Sequence, residues 1–113
     1  MRRDELYLED ICESADAIAT FITDVDSESF KNNDLLRSAV LQKLTIIGEA
    51  TARISSDLKG RYPEIPWSEI IAFRNISVHT YFDVDWSIVW NTATRDVPSL
   101  RQQIATVLAL EFP

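Results

Sequence analysis

A chain of 113 residues, 46% hydrophobic and 26% charged, has the composition of a folded protein rather than a disordered one and the length for a single core, so one domain spanning residues 1–113 is expected. Its one cysteine, Cys12, excludes an internal disulfide and a thiolate metal cluster and fits a reducing cytoplasm. The net charge of −7 is unevenly placed: residues 1–28 hold nine acids against two arginines, and the rest of the chain is balanced, so no basic stripe for tight non-specific nucleic-acid binding is present.

In chain order, "MRRDELYLED" has no apolar core of a signal peptide, and no apolar run approaches the roughly 20 residues that cross a bilayer, so no membrane partner is expected. Leu8, Ile11, Ala15, Ile18 and Ile22 recur at three and four and predict an amphipathic helix over about 4–23. Its acidic side is either a solvated face or a docking face for a basic partner. "DVDSESFKNND" breaks the period with short polar side chains and is expected to be a loop. Asn33 or Asp34 can cap a second helix, with Leu36, Val40, Leu44, Ile47, Thr51 and Ile54 inward. Gly48 lies beside that stripe, where another helix could approach closely.

"SSDLKGRYPEIPW", with a glycine and two prolines, must be a connection, with room for one helical turn at 57–61. Pro66 starts a third helix running to His79, with Ile70, Phe73 and Ile76 inward. Asp85 can cap a fourth, carrying Trp86, Val89 and Trp90, which Pro98 should kink or split. The paucity of glycine and of alternating β-branched runs excludes a multistranded sheet. The expected fold is therefore all-α, an antiparallel four-helix-type bundle with a bent last helix.

Chemistry-bearing residues concentrate in "RNISVHTY", which holds the only histidine. On a helix, Asn75 and His79 are four apart and share a face, so the asparagine could support the imidazole and fix its tautomer. Arg74 and His79 are five apart and point about 140° away from each other. If both act on one atom, either the long arginine curls around the helix or the copy in a second subunit of a homodimer completes the site. One imidazole and one guanidinium suit RNA transesterification: the histidine moves protons, and the arginine holds the phosphate as charge develops. Spacing alone favours a capping or packing role for such a histidine. No glycine-rich phosphate loop or cluster of metal ligands is present, so neither a cofactor nor a metal is expected.

At these residues the sequence resembles the HepT-like toxins of the HEPN superfamily, marked by an arginine, four residues, a histidine, any residue and a tyrosine: here Arg74, His79 and Tyr81. "YLEDI", "LTIIGEA", "RYPEIPW", "YFDVDWSIVW" and "RDVPSLRQQI" are similar to the family's segments in the family's order. The resemblance implies a helical homodimer in which Arg74 and His79 of both subunits line a metal-independent ribonuclease cleft acting on RNA. It also implies a toxin whose partner is an MNT-type nucleotidyltransferase antitoxin, which modifies Tyr81 with AMP from ATP. Asp83 departs from the pattern, standing where relatives commonly carry glycine. The alternative is a non-catalytic helical protein that docks the nucleotidyltransferase and serves as its substrate.

Overall fold

The computed structural model describes residues 2–75 and 82–113, so Ile76, His79 and Tyr81 lie outside the described residues. The described elements are helices: α1 (Asp4–Phe21), α2 (Ser27–Lys31), α3 (Asp34–Arg53), α4 (Ser56–Arg61), α5 (Trp67–Ile71), a 3₁₀ turn (Ala72–Asn75), α6 (Trp86–Asn91), a π-helical turn (Thr92–Asp96) and α7 (Val97–Glu111). The expected all-α class is what the protein has.

The apolar periods become the core. Leu8, Ile11 and Ile18 of α1 meet Val40, Leu44 and Ile47 of α3, and Val97, Ile104 and Val107 of α7 close the cluster. Long-range polar contacts give the helix directions. Asp4 at the head of α1 accepts from the Ser55 amide (2.9 Å) and hydroxyl (2.6 Å) just beyond the end of α3, so these helices run antiparallel. Arg101 near the start of α7 grips Asp16 near the end of α1 at 3.0 and 3.3 Å, and α7 therefore also runs back along α1.

Caps sit where short polar side chains were expected. Asn33 accepts from the Leu36 amide (3.0 Å), and Asp85 accepts from the amides of Ser87 (3.0 Å) and Ile88 (3.3 Å). These bonds satisfy amide donors that have no partner inside the helix. Asp85→Ala is expected to lower stability by about 1 kcal/mol, read as a lower urea midpoint with an unchanged m-value.

Pro98 splits the last helix as predicted, in a specific way. Proline offers no amide to the carbonyl one turn back, and the turn before it widens: the Val97 amide bonds the Thr92 carbonyl five residues behind. The chain then continues as α7 with proline in its first turn, where a missing donor costs little.

Two expectations are corrected. The polar stretch 24–34 is not all loop, because Asp26 caps α2 by accepting from the Ser29 amide at 2.8 Å, a bond that holds its carboxyl below the usual range. Phe30 of α2 is fully buried, edge-on to Trp86 with centroids 6.2 Å apart and tilted on Trp90 at 5.1 Å. The third helix does not stay α-helical towards His79: α5 gives way to the 3₁₀ turn at Ala72. At about 120° per residue, that turn alters the face on which Arg74 and Asn75 stand, and the pairing of Asn75 with His79 falls outside the described residues.

Candidate functional site

The site is built on the approach of α5 and its 3₁₀ turn to α3. Gly48 is buried in α3, and a Cβ placed there would overlap the Arg74 backbone nitrogen and lie 3.0 Å from both the Arg74 Cβ and the Ile71 carbonyl. The absent side chain is what lets the turn rest on the helix, so the close approach expected at Gly48 is realised, and the residue received there is Arg74. Arg74 and Asn75 are both exposed. The guanidinium makes no ion pair with any other described residue.

The head of α5 is tied to α4. Trp67 Nε1 donates to the carbonyls of Tyr62 (3.0 Å) and Lys59 (3.1 Å). Arg61 bridges Asp57 (2.8 Å) and Glu111 (2.7 Å), and the Tyr62 hydroxyl donates to the other Glu111 oxygen at 2.7 Å. The Arg61 guanidinium, followed by the Tyr62 hydroxyl, holds the Glu111 carboxyl below its usual range, while the bond to Glu111 pushes the Tyr62 hydroxyl up. Partial burial pushes the Lys59 ammonium down, against the pull of the Asp4 carboxylate and with a smaller push from the Arg74 charge.

Beyond the motif, Phe82 is 95% exposed and Asp83 is exposed beside it in a short 3₁₀ turn leading to Asp85. Phe73, next to Arg74 in the chain, joins Pro66, Ile70, Leu100 and Gln103 around a cavity of about 200 Å³. Among the described residues no group of three or more His, Cys, Asp or Glu side chains could hold a metal ion, and no helix is long and apolar enough to cross a membrane. The thiol of Cys12 is buried, and that burial pushes its pKa up. Of the sequence-predicted site residues, the structure places Arg74 and Asn75 on one exposed turn, and His79 and Tyr81 are outside the described residues.

Residues 11–107 match the family model described as "Ribonuclease HepT-like". The chain is 39% identical over 101 residues to "Putative RNase MJ1380" of Methanocaldococcus jannaschii, covering 89% of this chain and 93% of that protein. It is 41% identical over 95 residues to "Probable ribonuclease HepT" of Thermococcus cleftensis, covering 84% and 86% respectively. No solved structure matches.

Proposed function

The chain belongs to the ribonuclease HepT-like family, and we propose that it is a metal-independent endoribonuclease whose site is completed when two copies pair. One observation carries this reading: the Arg74–His79–Tyr81 motif falls within the matched span, and its arginine stands exposed on a turn seated on Gly48. An exposed, always-charged planar fork without a described carboxylate partner is suited to a phosphate.

In the proposed reaction His79 takes the proton of a ribose 2′-hydroxyl, and the 2′-oxygen forms a bond to the adjacent phosphorus. The bond from phosphorus to the 5′-oxygen breaks, and an imidazolium returns a proton to that leaving oxygen. Arg74 holds the phosphate oxygens as negative charge builds. With both copies contributing to one cleft, one His79 serves as base and the other as acid, and Asn75 supports the imidazole. The products are a 2′,3′-cyclic phosphate and a 5′-hydroxyl, and water takes no part in this step. The proposed setting is the cytoplasm, where the protein, as a single helical domain, acts as a toxin held in check by a nucleotidyltransferase antitoxin. AMP placed on Tyr81 would set phosphate against Arg74 and His79 and exclude RNA.

The test uses homodimeric protein purified without its antitoxin and shown by mass spectrometry to be unmodified. It should cleave RNA in the presence of EDTA and leave cyclic phosphate ends. Uncut RNA under these conditions would sink the nuclease reading and leave the non-catalytic docking protein. Separately, incubation with the nucleotidyltransferase and ATP is expected to add mass in units of AMP, and Tyr81→Phe should abolish the addition. Modification that persists in Tyr81→Phe would move the acceptor elsewhere.

A further inference from the structure

We infer that Arg37 is a positioning residue for the nuclease site: stacked on Trp86, it fixes the downstream end of the chain segment that carries His79, as Gly48 fixes the upstream end. The proposal rests on the ribonuclease reading above and deepens it.

The observation is that one helix holds both ends of the motif segment. Upstream, the backbone of Arg74 rests against Gly48 of α3. Downstream, the Arg37 guanidinium of the same helix lies over the Trp86 ring, 4.9 Å from its centroid, and Trp86 is the first residue of α6. Arg37 and Gly48 belong to one unbroken α-helix, and at about 3.6 residues per turn and about 1.5 Å per residue their spacing returns them to the same face, about 16 Å apart. Helix α3 is thus a rigid bar with a support at each end of the chain from Asn75 to Asp85, and His79 lies between the two supports in sequence.

The downstream support is built for orientation as well as for burial. Asp34, one turn before Arg37, accepts from the guanidinium Nη2 at 3.3 Å. Phe30 stands edge-on to Trp86 with centroids 6.2 Å apart, and Asp85 caps α6 immediately before the tryptophan. Only 22% of the Arg37 side chain is exposed. Withdrawing a charge that far from water costs stability, and an apolar side chain would cover the indole without that cost. What the guanidinium adds is a flat charged face against the ring and a fork that sets its own angle. Held between this face and Phe30, the tryptophan fixes the point at which the chain leaves the motif and rejoins the core. Proton transfer needs the His79 imidazole within hydrogen-bond reach of the reacting oxygen, and a displacement of about 1 Å is enough to slow a reaction by about 10²-fold. Arg37 acts in this scheme through placement and not by contact with the RNA.

The experiment compares Arg37→Met, Arg37→Lys and Ile104→Val in the whole chain. Ile104 is fully buried in α7, so losing one methyl group there gives a modest destabilisation outside the motif. His79 is the only histidine, so a carbon–proton NMR correlation spectrum shows its imidazole as one isolated set of signals, which reports placement without any turnover. Arg37→Met keeps the length and loses the flat charge. It should lower the single-turnover rate at saturating RNA about tenfold, leave the half-saturating RNA concentration within about twofold, and move the imidazole signals. Arg37→Lys keeps the charge without the plane and should fall between Arg37→Met and wild type; it also carries the test should Arg37→Met not fold. Ile104→Val should lower the melting temperature and keep the wild-type rate and imidazole signals. Wild-type rate and imidazole signals in the Arg37 variants would overturn the proposal. So would an equal loss of rate in Ile104→Val, which marks plain destabilisation, or a loss confined to RNA affinity, which marks a residue that binds RNA directly. Wild type that cuts no RNA would instead overturn the ribonuclease reading, and the imidazole signals would then still decide whether Arg37 places His79.

Discussion

His79→Ala is expected to slow RNA cleavage by about 10³-fold, because it removes the only imidazole in the chain and with it both proposed proton transfers. Arg74→Ala should lose about 10²–10³-fold through the missing charge at the phosphate. Neither change should unfold the protein. The Arg74 side chain is exposed and bonded to no described carboxylate, so truncation opens no cavity and orphans no described carboxylate. Arg74→Lys separates charge from shape: it keeps the positive charge and loses the fork, and an intermediate rate shows that bidentate holding matters. The measurements are single-turnover cleavage of a labelled RNA, with circular dichroism and sedimentation confirming helicity and assembly. Cleavage by His79→Ala at the wild-type rate would remove the imidazole from the mechanism.

What was legible in the sequence depended on how local the signal was. The caps at Asn33 and Asp85 are local, and they appear as expected. So does the break at Pro98, since a missing amide acts within one turn, and it takes the form of a π turn over Thr92–Asp96. The stripes of α1 and α3 were legible because several turns of period accumulate. A five-residue helix with one apolar side chain has no period, so α2 and its buried Phe30 could not be read. What fixes α2 is non-local, namely two tryptophans more than fifty residues away. The same limit applied at the site. Arg74, Asn75 and His79 were singled out by type and spacing and Tyr81 by the family resemblance, but the seat of Arg74 against Gly48 joins residues far apart in the chain and leaves no local signal.

Gly48→Ala is expected to disable the site without touching any reactive group. Two effects oppose each other. Alanine in a helix interior is favoured over glycine by about 1 kcal/mol, whereas inserting a methyl group into a full contact costs about 1–3 kcal/mol. At Gly48 the new Cβ would overlap the Arg74 backbone nitrogen and lie 3.0 Å from the Ile71 carbonyl, and backbone cannot swing aside as a flexible side chain can. The contact term should win, leaving a net loss of up to about 2 kcal/mol. To relieve the overlap, the turn carrying Arg74 must move off α3, and a shift of about 1 Å in a positioning group is enough to lower a rate by about 10²-fold. Gly60→Ala provides the matched control. Gly60 lies in α4, a Cβ there meets nothing within 4 Å, and only the propensity term remains, so that variant should gain up to about 1 kcal/mol and keep full activity. Urea unfolding and single-turnover cleavage of both variants decide the matter. A Gly48→Ala protein as stable and as active as Gly60→Ala would mean that the seat of Arg74 on α3 is not what positions the guanidinium.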